Sequence, residues 1–169
     1  MQPCPLELIL SQFKGDLLGR TPTPDDWEKC EQELGREVPH DYKTIINVTG
    51  APSLGACWLR NPAVTSHLAL SRAALLREEL IFGPMAKEML DIDLYPELGG
   101  WIELAFMDRV LFMLKPTGDD IVIADLSGWE IYETGMNFSA LIWSIFGNRN
   151  LYHDLGESMW RKRKSLFGF

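Results

Sequence analysis

The chain has 169 residues, 46% apolar and 24% charged, which is long and apolar enough to bury one substantial core and too weakly charged to stay disordered. Its longest apolar runs, such as Val110 to Leu114, fall far short of the roughly 20 residues that a membrane-spanning helix needs. The formal charge of −8 is unevenly spread: residues 86–135 hold eleven Asp and Glu against three Lys and Arg, with −3 before them and +3 after them, so nucleic acid is excluded as the natural partner of that segment and a basic partner is favoured.

In chain order, Leu6, Ile9, Leu10, Phe13 and Leu17 recur at helical spacing and predict a first helix over Leu6 to Leu18. Thr23 can cap a second helix, with Pro24 at its first position and Asp25 and Asp26 at the positive end of the dipole, and Gly35 stops it. A third helix is predicted from Pro39 to about Val48, closed by Gly50. Ala51 to Gly55 reads as loop and Cys57-Trp58-Leu59 as a short strand, followed by a helix from Ser66 to Leu80.

Beyond Pro96 the period changes to that of strands: Trp101 to Phe106, Val110 to Leu114, Ile121 to Ala124 and Trp129 to Tyr132, with short polar connectors. Short connectors favour an antiparallel meander. Helices from Phe138 to Phe146 and from about Leu151 to Lys164 complete the chain. Helices around strands without βαβ alternation indicate the α+β class, with an antiparallel sheet of about five or six strands in a single domain spanning 1–169. Trp27, Tyr42, Trp101, Trp129 and Phe138 are expected to share its core.

The residues give little support to catalysis. His40, His67 and His153 lack partners at metal-ligand spacing, and Gly50, Gly55, Gly99 and Gly100 form no phosphate-binding motif. Cys57 and His67 carry no signature of a cysteine hydrolase, and they read as a half-buried thiol and a surface histidine. The acidic pairs Asp25-Asp26 and Glu78-Glu79 suit solvated helix positions, and Asp119-Asp120 suits a hairpin turn. Arg161-Lys162-Arg163-Lys164 closes a helix, where cations favour the dipole. Cys4, Cys30 and Cys57 are odd in number and widely spaced, and the N-terminus has no basic flank or cleavage site, so the expected compartment is the cytoplasm.

The stretch from Trp27 through Leu34-Gly35-Arg36-Glu37-Val38-Pro39-His40-Asp41-Tyr42-Lys43 to Gly50 resembles the opening of the SUKH superfamily, which includes the Smi/Knr cell-wall-assembly regulators and many bacterial immunity proteins. Further similar elements are Trp58-Leu59-Arg60-Asn61-Pro62-Ala63, Tyr95-Pro96-Glu97-Leu98-Gly99-Gly100-Trp101-Ile102, Trp129, and the helix opened by Phe138-Ser139-Ala140-Leu141, so that the resemblance covers about residues 25–148. Ala51-Pro52 departs from the family's second glycine, and Met107-Asp108-Arg109 from its longer turn.

The resemblance implies an α+β domain without catalytic residues, cofactor or metal, acting by binding proteins. Within it, an immunity protein that neutralises a cognate toxin is the leading expectation. The alternatives are a Smi/Knr-type interaction scaffold, or a small-molecule or enzymatic domain using a pocket between sheet and helices. The acidic segment supplies the expected binding residues for a basic toxin such as a nuclease: Glu97, Glu103, Asp108, Asp119, Asp120, Asp125, Glu130 and Glu133. Alternation predicts that Glu130 projects from the sheet face that the core does not use.

Overall fold

The computed structural model describes residues 4–12, 20–50, 53–54, 57–63, 88–93, 100–107 and 109–146. Helix α1 runs over Pro5–Gln12; the rest of the expected first helix, the helices expected over Ser66 to Leu80 and Leu151 to Lys164, and residues 95–99 of the family-like stretch lie outside the described residues.

Helix α2 (Pro24–Leu34) starts where the sequence requires it. The Thr23 hydroxyl accepts the Asp26 N–H at 3.2 Å while the Asp26 carboxylate accepts the Thr23 N–H at 2.8 Å, a reciprocal capping box. These bonds hold the Asp26 carboxyl below its ordinary range. Gly35, at φ 68°, ends the helix in the left-handed conformation that glycine adopts without a steric penalty. Helix α3 (His40–Thr49) follows Pro39, whose fixed φ suits a helix start.

The sheet has the order β1 (Ser53–Leu54), β2 (Cys57–Leu59), β3 (Ile102–Met107), β4 (Val110–Leu114), β5 (Ile121–Asp125) and β6 (Glu130–Met136). All neighbours are antiparallel, so the fold is the α+β meander expected from the sequence. Helix α4 (Phe138–Phe146) closes the described part.

Three boundaries differ from the sequence reading, one being the end of β6, which runs past Tyr132 to Met136. The stretch expected as loop contains β1, whose Ser53 and Leu54 pair with Trp58 and Cys57. Trp129 is not a strand residue: it ends the turn 126–129 at φ 55°, half-buried, and the ladder starts at Glu130. The Asp125 carboxylate accepts the Ser127 N–H at 2.9 Å and so shapes this turn. Trp101 is also half-buried, with the Lys115 ammonium 5.8 Å from its ring centroid.

Trp27, Tyr42 and Phe138 do share one buried core with Ile9, Ile45, Leu104, Phe112 and Ile123. Tyr42 and Phe138 meet edge to face, with centroids 4.8 Å apart, the geometry that aromatic quadrupoles favour. Phe112, Ile123 and Tyr132 are directly opposite one another across β4, β5 and β6 and define the sheet face toward this core. Met113 and Val122 alternate to the opposite face and are buried as well.

Three polar residues between α2 and the end of the β2 region tie these elements to the rest of the fold. Arg36 donates from α2–α3 to the carbonyls of Lys115 at 2.5 Å and Gly118 at 2.8 Å. Asp41 accepts the Ser139 N–H at 2.7 Å and thereby helps to cap α4. Asn61 accepts the Ala63 N–H at 2.9 Å and donates to the Arg20 carbonyl at 3.0 Å.

Candidate protein-interaction surface

The eight carboxylates expected to bind a partner divide into three groups. Glu97 and Asp108 lie outside the described residues. Glu103 and Asp125 are buried, at 8% and 5% exposure, and do not contribute to an exposed acidic surface. The remaining four, Asp119, Asp120, Glu130 and Glu133, are exposed.

Glu103 is drawn inward by Arg60, which donates to its carboxylate and whose guanidinium also stacks 4.8 Å from the Phe106 centroid. The pair sits beside a β-bulge, since Glu103 and Ala105 oppose the consecutive residues Met113 and Phe112 and leave Leu104 without an opposite number. The carbonyl of Leu104 accepts the Arg60 N–H at 3.0 Å. The Tyr42 hydroxyl lies 2.6 Å from the same carbonyl and 2.7 Å from that of Arg60, and its proton is shared between them. Burial raises the Tyr42 hydroxyl pKa well above the ordinary tyrosine value. This cluster joins α3, β2 and β3, which makes its polar groups architectural.

Of the exposed carboxylates, Asp119 is 73% exposed at the β4–β5 hairpin and takes the Arg36 guanidinium at 3.1 Å. Asp120 follows it, exposed. Glu133 is 64% exposed and pairs with Lys115. Glu130 accepts the Tyr132 hydroxyl; burial, and then this carboxylate, push the Tyr132 pKa up to about 12.

Register corrects the expectation for Glu130. It pairs with Asp125, and Asp125 with Val110, so Glu130 lies on the core side of the sheet, whereas Glu133, opposite Val122, lies on the other face. Glu130 stays exposed because it opens the strand, next to the turn, and not because it faces away from the core. The four carboxylates therefore do not share a face. Glu130 and Glu133 lie on opposite faces of β6, Glu130 at the end beside Asp125, whereas Asp119 and Asp120 sit on the β4–β5 hairpin at the other end of β5.

A groove of about 510 Å³ lies beside the same hairpin, lined by Arg36, Val38, Pro39, His40, Lys43 and Thr117 among others. Two of its cations are already engaged, Arg36 by Asp119 and Lys43 by Glu31 at 2.6 Å. Cys57 is fully buried in β2, and burial raises its thiol pKa strongly; His67 is outside the described residues. Among the described residues no group of three His, Cys, Asp or Glu could hold a metal ion, and no helix is long and apolar enough to cross a membrane.

Trp58, 53% exposed on β2, is a surface feature that charge-based reading passes over. Its neighbours Cys57 and Leu59 are buried, and this alternation was the available signal.

Compared with protein-family models, curated proteins and solved structures, the chain matches none.

Proposed function

We propose that this chain is a non-catalytic protein-binding module of the immunity type, which neutralises a cognate toxin by capturing it. The observation that carries this reading is the exposure of four carboxylates of the acidic segment, Asp119 and Asp120 on the β4–β5 hairpin and Glu130 and Glu133 along the edge strand β6. Exposed carboxylates at a sheet margin generate a local negative field, which attracts a basic partner and accelerates its encounter. A nuclease is such a partner, because it carries cations for the phosphate backbone.

The resemblance to the SUKH superfamily supports the same reading, by analogy of fold and sequence pattern. The compartment proposed for it is the cytoplasm, in keeping with Cys4, Cys30 and Cys57 all being free thiols. Neither nucleic acid nor a membrane is proposed as a partner.

The test is to express the tagged chain in its native cells, purify it at low salt and identify co-purifying proteins. The reading requires a basic protein in stoichiometric amount whose toxicity in a heterologous host is suppressed by co-expression of this chain. Toxicity that persists at equal expression of both proteins contradicts it.

A further inference from the structure

The phase of the β4–β5 ladder is set by one hydrogen bond: the Leu126 N–H donates to the Arg109 carbonyl at 2.9 Å. Residues 109 and 126 thus form a hydrogen-bonded pair, and the next pair, Val110 with Asp125, is a non-hydrogen-bonded one. Ile121, Ile123 and Asp125 therefore turn their backbone groups toward β6. Asp125 opposes Glu130 and Ile123 opposes Tyr132, so the N–H and C=O of Glu130 and Tyr132 face β5, while those of Ile131 and Glu133 face away from the sheet. Between Val122 and Ile121 the register shifts by a bulge: Ile121 pairs with Met136, and its carbonyl also takes the Thr134 hydroxyl.

Among the described residues no strand pairs with the outer edge of β6. Ile131 and Glu133 there present a short row of backbone donors and acceptors, a template for one more strand. The flanking side chains select which strand. Glu130 stands on one face and Glu133 on the other, so an incoming strand meets a carboxylate on each face. Opposite charges directly across a strand pair stabilise it and like charges destabilise it. A second copy of this chain would bring the same acidic edge against itself.

We propose that the outer edge of β6 binds an extended segment of a basic protein as an added strand, with cationic side chains at positions an odd number apart, three being the spacing of Glu130 and Glu133. This rests on the protein-binding reading above and assigns its contact surface. The backbone of Ile131 and Glu133 supplies the hydrogen bonds, and Glu130 and Glu133 supply the selectivity.

The probe is a blocked peptide of about seven Thr and Val residues carrying two lysines three apart, titrated to millimolar concentration into the labelled protein by amide NMR. The largest shifts are expected at Ile131 and Glu133, with Ile131→Pro abolishing them and Ile131→Thr preserving them. Because the Ile131 N–H faces outward, proline there leaves the β5 ladder intact, and circular dichroism checks that the variant folds. Replacing both peptide lysines by glutamate should weaken binding at least about tenfold.

Shifts located elsewhere, no binding at millimolar peptide, or equal affinity for the Ile131→Pro variant would overturn the proposal. So would a dimer of the free protein that Ile131→Pro dissociates, since the edge would then belong to a second copy. The two readings fail separately: a native partner retained equally by Ile131→Pro removes the edge assignment alone, whereas persistent toxicity at equal expression removes the protein-binding reading whatever the peptide does.

Discussion

At the scale of single residues, burial decides which chemistry a side chain has. Tyr42, Arg60 and Glu103 would each pass for a surface or site residue by type, yet together they fasten α3 to the bulge of β3. Tyr42→Phe deletes the proton shared by two buried carbonyls and should lower stability by about 1–3 kcal/mol in denaturant unfolding, without loss of secondary structure. Glu103→Gln leaves the mostly buried Arg60 charge without its counterion and should cost about 3–5 kcal/mol, comparable to breaking other buried pairs. A variant of normal stability would place Glu103 at the surface after all. The thiols offer a second check. Cys30 and Cys57 are buried, with pKa values raised by burial, Cys30 to about 12. Their thiols stay protonated and shielded near pH 8, so only Cys4, which is exposed, should react quickly with a disulfide reagent.

At the scale of elements, the helices were legible because their ends are written in local chemistry. Thr23, Pro24, Asp26 and Gly35 each perform the capping role that their type suggests. Thr23→Ala should therefore lower stability by about 1 kcal/mol. The folded-state pKa of Asp26 is depressed, so its share of the cap is present above its unfolded pKa near 3.8 and is lost as the pH falls below that value toward the folded one. Thermal unfolding of the wild type between pH 6 and pH 3 should accordingly lose more stability than that of a Thr23→Ala variant. Strands were legible wherever β-branched and apolar residues ran for four or more positions, as in β4 and β5. β1 escaped because two residues between Pro52 and Gly55 carry no period, and its pairing is defined only by β2. Trp129 reads as a strand residue because aromatic residues favour strands, while the tight turn after Asp125 imposes a left-handed backbone on it.

At the scale of the whole molecule, the acidic segment was visible as composition, but its division into internal and external carboxylates was not. Nothing local distinguishes Glu103 from Glu133: the first meets Arg60, 43 residues earlier, in the interior, and the second meets Lys115, 18 residues earlier, at the surface. Likewise the two faces of β6 depend on a register set by β5. What remains exposed lies on the hairpin and along the edge strand, and these carboxylates are proposed to capture a basic protein. The most direct measurement is the association rate of the identified partner with the wild type and with the combined variant Asp119→Lys, Asp120→Lys, Glu130→Lys and Glu133→Lys, each at low and high salt. The wild-type on-rate should fall steeply with salt, while the folded variant should associate at least about tenfold more slowly at low salt and respond little to added salt. Equal on-rates and equal salt dependence for the two proteins would contradict this role and would move the interface to another surface, with Trp58 and its neighbours on β2 as the first to examine.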